Sequence, residues 1–244
     1  MALRAESVAK KRERRKSEMR IHQTIAQELG IAILTGFYRP GDHMPGEIEQ
    51  AATLGVSRTA YREAIRILIA KGLMESKPKS GTHVTARDRW NLLDPDMLAW
   101  MFMGEPDEQF IHDLFELRNL LEPKAAELAA QRRSADQLES MRDAIEGMRL
   151  YGLATSEGRA ADQKFHSVLL AATGNAAMAT LASSIGAAVQ WTTDFKQRAS
   201  SHARDSLSEH VAVFAAIEAG NAEAARSTMT TLIQRAFEDM AFAL

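Results

Sequence analysis

Asp162 and His166 lie at positions i and i+4 of a helical segment, so both side chains project from one face about one turn apart. That spacing suits two ligands on one metal ion. A second imidazole, His210, sits on the stripe His210, Val213, Phe214, Ile217, which faces a core. The chain has no cysteine. A carboxylate with imidazoles and no thiolate favours zinc, nickel or manganese over a soft metal. The same residues can also form a buried, hydrogen-bonded Asp–His pair without metal, and the sequence leaves both readings open. Arg118 is the other informative residue. It interrupts the apolar stripe Ile111, Leu114, Phe115, Leu121, Ala125. A guanidinium is not buried unpaired. Its partner is either Glu122, one turn on, or the carboxylate of a ligand, which its planar fork fits.

A different chemistry is written between residues 55 and 84, GVSRTAYREAIRILIAKGLMESKPKSGTHV. Gly55 suits a tight turn. Ser57 is a good N-cap, because its hydroxyl accepts from the free amides of the first helical turn. Ile65, Leu68 and Ile69 recur at helical spacing and are expected to face a core. Arg58, Arg62 and Arg66 fall four apart, so three guanidinium groups line another side. Ser57, Arg58, Thr59 and Arg62 crowd the helix N-terminus, the end that a recognition helix inserts into a major groove. Gly72 stops the helix, and Lys77, Pro78, Lys79, Ser80 and Gly81 form a basic turn between short strands. The bland alternative is a solvated basic face on an ordinary helix. Cap, periodicity, stop and wing in this order favour a winged helix-turn-helix.

Charge divides the chain in the same place. Residues 1–89 carry 17 lysines and arginines against 10 acidic residues, and the remainder carries 13 against 22. A basic front half favours a polyanion and an acidic back half does not. We therefore expect a basic arm over residues 1–20, a DNA-binding domain over 21–86, a linker with a short helix over 87–106, and an all-α domain over 107–244. The first helix carries the stripe Ile21, Ile25, Leu29, Ala32, Ile33. Asp94 caps the short helix, with Pro95 at its first position. Trp90, Leu93, Met97, Leu98 and Trp100 either dock the linker on one of the two domains or, the favoured reading, are ordinary packing residues. Further helices are expected near 107–132, 135–151, 157–173, 176–199, 203–219 and 222–242. Ser134 with Gln137 makes a capping box, and Gly174-Asn175 and Gly220-Asn221 each stop one helix and start the next. No apolar run approaches the roughly 20 residues of a membrane span, and no apolar signal-peptide core follows the basic N-terminus. A cytoplasmic protein is expected.

The order TGFYRPGDHMPGEIEQAATLGVSRTAYREAI…KGLMES…GTHV resembles the N-terminal domain of the GntR family of bacterial transcription regulators. The segments LFELRNLLEPKAAELAA, DQKFH and LSEHVAVFAAIEAGNAEAA resemble the helical effector-binding domain of its FadR-type branch. RWNLLDPDMLAW is similar to the sugar-acid regulators within that branch. The resemblance implies DNA contacts from Ser57, Arg58, Thr59 and Arg62, helped by Lys79, Ser80 and Gly81 of the wing. Where the family often has a basic residue after the Glu that follows Pro, Ile48 follows Glu47 here. The resemblance also implies a metal held by Asp162, His166 and His210. The fourth ligand should fall at Leu232, which cannot supply one. It favours a ligand carboxylate as the partner of Arg118. Trp191, Ser206 and Arg235 fall on the helices expected around the same cavity, to stack on a sugar-like face, bond a hydroxyl and meet a second anionic end.

Three functions fit these features. The first is a homodimeric repressor, released from a DNA operator by a small carboxylate, most simply an aldonate. The dimer is expected because two-fold operators need two recognition helices about one DNA turn apart. The second is a metal-dependent enzyme fused to a DNA-binding module, whose open metal site would activate water; against it stands the lack of a general base apart from the ligands themselves. The third is a ligand-free architectural protein, against which stands the lone arginine in an apolar stripe. The first reading, which is not an enzyme, accounts for the most residues.

Overall fold

The protein is described from a computed structural model over residues 21–104, 106–199 and 204–241; the expected basic arm over 1–20 lies outside them. The chain divides after Gly104 into two compact units.

The N-terminal unit contains α1 (residues 21–34), α2 (Glu47–Thr53), α3 (Arg58–Ala70) and a hairpin of β1 (Met74–Lys77) with β2 (Gly81–Val84). α1 buries Ile25, Ala26, Leu29 and Ile33. Ile21, expected in that stripe, is 40% exposed, so the apolar face begins one turn later. The hydroxyl of Ser57 accepts from the Ala60 amide at 3.1 Å and starts α3. Ala60, Tyr61, Ala64, Ile65 and Leu68 then face the core. Ile69 does not: it lies about 100° round the helix from Leu68 and is exposed.

α3 ends with two backbone bonds, Leu73 N–H to the Leu68 carbonyl and Gly72 N–H to the Ile69 carbonyl, both 3.0 Å. This Schellman closure needs a left-handed residue, and Gly72 supplies it at φ +79°. No side chain fits there, because a Cβ on Gly72 would lie 2.1 Å from the carbonyl oxygen of Arg89. The chain reverses into an antiparallel pair, with Met74 opposite Val84 and Lys77 opposite Gly81. Met74 and Val84 are buried at the base of the hairpin, while Pro78, Lys79 and Ser80 form its exposed tip.

The segment expected to be a linker is part of this unit. Trp90, Met97 and Trp100 belong to the same core as α1 and α3. The indole N–H of Trp90 donates to the Thr85 carbonyl at 3.2 Å. Asp94 caps α4 (Pro95–Met103), accepting from the amides of Asp96 and Met97. Lys71 is 7% exposed and is held by Asp94 at 2.5 Å and Asp96 at 2.8 Å. A buried ammonium paired with two carboxylates fixes α4 to the end of α3.

The regular elements among the described residues of the C-terminal unit are all helices: α5 (Glu108–Arg132), α6 (Ala135–Tyr151), α7 (Ser156–Ala171), α8 (Ala176–Thr180), α9 (Ala182–Ala199), α10 (Leu207–Glu218) and α11 (Ala222–Ala241). The capping box at Ser134 and Gln137 is formed. Gly174 and Gly220 take positive φ, and Asn175 and Asn221 accept from the amides that follow them. The helix expected over 176–199 is two, broken at Leu181, whose N–H turns back to the Met178 carbonyl. α5 packs on α11, α6 on α7, α7 on α9 and α10 on α11. Gly186 permits the close crossing of α7 and α9, since a Cβ there would meet the Ser167 hydroxyl at 2.7 Å.

Candidate functional site

α7 presents Asp162 and His166 to the interior and α10 presents His210 opposite them; all three are at most 2% exposed. The two Nε2 atoms stand 3.3 Å apart. Asp162 Oδ1 lies 3.0 Å from His210 Nε2 and 3.5 Å from His166 Nε2. Despite these approaches, Asp162 Oδ1 accepts no hydrogen bond. The reason lies on the far side of each ring. His210 Nδ1 donates to the Ser206 carbonyl at 2.8 Å, and His166 Nδ1 donates to Glu122 Oε2. In the neutral tautomers these bonds select, both Nε2 atoms carry lone pairs. Three lone-pair atoms therefore converge on one point. Zinc–nitrogen bonds of about 2.0–2.1 Å at a tetrahedral angle put ligand atoms about 3.3 Å apart. The donor set therefore fits a divalent cation. Leu232, 2% exposed, is at the wall where a fourth protein ligand was sought.

Glu122 joins this centre to Arg118. Its Oε1 accepts from Arg118 Nε at 2.6 Å, while Oε2 takes the proton of His166 Nδ1. An imidazole ligand oriented by a carboxylate is a common arrangement around metals. Burial pushes the Glu122 carboxyl up, but the Arg118 and His166 charges outweigh it and hold it at about 2. Burial also opposes ionisation of Asp162, and the adjoining His166 and His210 rings outweigh it and hold the carboxyl well below the usual carboxylate range. For His166 burial acts downward, and Glu122 with Asp162 overcomes it to raise the imidazole to about 9. Without a cation, a proton on His166 is the other way to relieve facing lone pairs.

These groups line a cavity of ≈ 20 Å³ together with Arg118, Lys196, Ser206 and Leu232. It holds about one water molecule or ion. Two sequence expectations are displaced. Trp191 is half-buried and does not line the cavity. α9 lines the cavity with Val189, Thr192, Thr193 and Lys196, an i, i+3, i+4, i+7 stripe from which Trp191 is rotated away. Arg235 is likewise off the stripe Leu232, Ala236, Met240 of α11, and it pairs at the surface with Glu209 at 2.7 Å. Arg118 and Ser206 are where the sequence reading placed them. Lys196 was missed. It is 5% exposed and bonds Asp239 at 3.2 Å. The signal that singled out Arg118 was absent there, because the Lys196 stripe carries Thr192 and Thr193 and is not apolar. Thr193, also missed, donates to Asp162 Oδ2 at 3.2 Å.

In the N-terminal unit, Arg58, Thr59 and Arg62 are exposed at the start of α3, and Lys79, Ser80 and Gly81 at the hairpin tip. Lys79 takes φ +66°, which turns the tip. Glu47 reaches both arginines, 3.4 Å from Arg58 Nε and 3.8 Å from an Arg62 terminal nitrogen. Arg66, third in the row, pairs with Glu63 at 2.6 Å. Ile48, beside Glu47, is 66% exposed.

Residues 21–84 match the bacterial regulatory proteins of the gntR family, and residues 113–235 match the FCD domain. The galactonate operon transcriptional repressor of Escherichia coli (strain K12) is 33% identical over 208 residues, covering 84% of this chain and 90% of that protein. The HTH-type transcriptional regulator LutR of Bacillus subtilis (strain 168) is 30% identical over 204 residues, 81% of this chain and 90% of that protein. A match to the HTH-type regulator YieP of E. coli, 40% identical, spans about half of each: 50% of this chain and 53% of that protein. Among solved structures, Lar, which controls the Listeria monocytogenes agr system, shares the fold at TM-score 0.63 and 18% identity over 90% of this chain and 96% of that chain. A DNA-binding helix-turn-helix joined to a helical effector domain, with relatives that are regulators and not enzymes, makes this chain a member of the GntR family of bacterial transcription regulators, of the branch that carries an FCD domain.

Proposed function

We propose that the chain is a homodimeric repressor that leaves its operator when a small sugar acid enters the helical unit. Relatives named for the galactonate and Uxu operons supply the sugar-acid part of this reading. The observation that carries the effector site is the convergence of Asp162, His166 and His210 on one point beside Arg118 and Lys196. Asp162, His166 and His210 are the groups that would hold a divalent cation, zinc first and nickel or manganese next. That cation would supply positive charge for an incoming carboxylate. Arg118 and Lys196 add two further cations, so an acid is drawn to this cavity from three directions. Ser57, Arg58, Thr59 and Arg62 would enter the major groove, with Lys79, Ser80 and Gly81 on the flanking backbone.

The effector must bind the released state more tightly than the DNA-bound state, or nothing shifts. A cavity that holds only about one water gives that difference a physical source: an acid must enlarge it, moving helices that pack around it. The test uses protein loaded with zinc and a fluorescent operator fragment selected from random DNA. Aldonates are expected to lower operator affinity and raise the melting temperature together. If no sugar acid changes either quantity in the metal-loaded protein, the sugar-acid reading is wrong.

A further inference from the structure

The cavity at the metal-binding side chains is too small for any sugar acid, yet a second opening lies directly behind one of its walls. Between α5 and α11 runs a groove of ≈ 480 Å³. That is within the roughly 300–1,000 Å³ typical of small-ligand sites. Phe115 lines both spaces. Its ring is 4% exposed, 5.1 Å from the Arg118 guanidinium and 5.3 Å from the Phe237 ring. Phe115 is thus a wall residue common to the inner, cationic cavity and the outer groove.

The two sides differ in charge. Arg118 and Lys196 face the inner cavity, whereas Asp113 and Glu116 line the groove with the amides Gln109, Asn119 and Gln234. Amides and carboxylates are good partners for hydroxyl groups. Two carboxylates in the groove make it a poor place for a second anion, because like charges nearby are costly. We propose that this groove is the subsite for the hydroxylated tail of the effector, reached when the Phe115 ring turns aside, and that it selects aldonates, with one anionic end, over aldarates, with two. This rests on the sugar-acid reading above. The head group enters the cationic cavity and the neutral tail lies along α5 and α11. Rejection of the dianion comes from Asp113 and Glu116, an element that acts against the wrong ligand.

The test measures affinities of zinc-loaded full-length protein by calorimetry for gluconate and galactonate, for glucarate and galactarate, and for glycolate, a hydroxy acid with no tail. Asn119→Leu and Gln234→Leu alter exposed groove positions and are expected to weaken both aldonates about tenfold while leaving glycolate unchanged. Asp113→Asn with Glu116→Gln is expected to bring aldarate affinity to within a few-fold of aldonate affinity. Phe115→Leu is expected to speed association of gluconate but not of glycolate. Unchanged aldonate binding in the groove variants overturns the subsite while the sugar-acid reading stands. A change in sedimentation instead of affinity also overturns it, assigning the groove to contact between copies of the chain. Binding of glycolate with no binding of any six-carbon acid removes both readings.

Discussion

His166 and His210 point their Nε2 atoms at each other across 3.3 Å, although the proton each ring carries on Nδ1 is committed to Glu122 and to the Ser206 carbonyl. Two lone pairs at that distance repel unless a cation or a proton sits between them. The consequence is a competition that pH sets. In metal-free protein, His166 is raised from 6.5 to about 9, with Glu122 and Asp162 outweighing burial. A raised folded value means that the protonated imidazolium stabilises the fold fully below pH 6.5, and that this contribution is lost as pH rises through about 9. Metal needs the deprotonated ring, so its affinity runs the other way. Melting temperatures of chelator-treated protein are expected to fall between pH 6.5 and 9, while the gain on adding zinc grows over the same interval. A zinc gain that is independent of pH, with a flat metal-free profile, is incompatible with this arrangement.

Arg118 and Glu122 are 3–4% and 0% exposed and linked at 2.6 Å, so removing one leaves the other as a buried, unpaired charge. Breaking such a pair costs about 3–5 kcal/mol. Arg118→Ala alone is expected to lower stability by that order and to disturb His166, whose orientation depends on Glu122. The paired variant Arg118→Met with Glu122→Gln removes both charges and is expected to recover most of the stability. It should still fail to release DNA when an aldonate is added. Chemical denaturation gives the first quantity and operator anisotropy the second. If the paired variant responds to aldonates as the parent does, Arg118 has only a structural role.

Glu47 places a carboxylate among guanidinium groups assigned to DNA. Its Oε1 stands 3.4 and 3.8 Å from Arg58 and Arg62, makes a hydrogen bond to neither, and meets guanidinium groups that are themselves largely exposed, pairs worth about 0–1 kcal/mol. Phosphates therefore displace it at little cost. Glu47→Gln is expected to raise affinity for random-sequence DNA by about two- to fivefold and to steepen its dependence on salt, since more cations then meet phosphate. Discrimination between operator and random DNA should drop correspondingly. Binding curves over roughly 50–200 mM salt decide it; identical curves for the two proteins remove Glu47 from the DNA face.

Much of the architecture was legible because local signals agreed. Ser57, Asp94, Ser134 and Asn175 all cap the helices their positions suggested. Asp162 and His166 were found by spacing and His210 by its stripe, the family resemblance joined the three, and they meet around one point. What sequence could not supply was which of two adjacent positions faces inward. Trp191 and Thr192, or Arg235 and Ala236, differ by about 100° of helix rotation, and the chemically richer residue of each pair is the one turned away. Lys196 hid for the opposite reason. A lysine in the last turn of a helix reads as a surface cation interacting with the helix dipole, and only the packing of α11 beside it, with Asp239, encloses it. The stretch 87–106 read as a linker with a short helix, and its part up to Gly104 packs as the end of the first unit. Trp90 and Trp100, not periodicity, join it to the first unit.

That union has a measurable size. Trp100 lies so close over α1 that a Cβ on Gly30 would fall 2.4 Å from its ring carbons. It is 7% exposed and also takes the Lys71 ammonium at 5.4 Å from its centroid. Truncating a buried tryptophan costs about 3–5 kcal/mol. Trp100→Ala is expected to destabilise the DNA-binding unit by that order and to weaken operator binding, while zinc still protects the helical unit against heat. Equal loss in both units, followed by hydrogen exchange, would contradict a core confined to the first.

Leu232 closes the wall of the cavity at Asp162, His166 and His210 with an apolar side chain where a fourth ligand would complete the set. Three protein groups leave an open position for an effector oxygen, as in sites that keep an exchangeable ligand, whereas four protein ligands close a zinc site. Leu232→His is therefore expected to do two opposed things. Metal affinity should rise by at least about tenfold, a change that one added ligand of ordinary strength readily gives. Aldonate affinity in the metal-loaded protein should fall, because the open position is taken, and operator release should need more acid. The pairing of the two effects is what matters. Tighter metal with unchanged aldonate response means that the acid is held by Arg118 and Lys196 without touching the cation. Weaker metal and a lower melting temperature mean that an imidazole does not fit the space Leu232 fills, and Leu232→Asp, smaller and also a zinc ligand, then carries the same test.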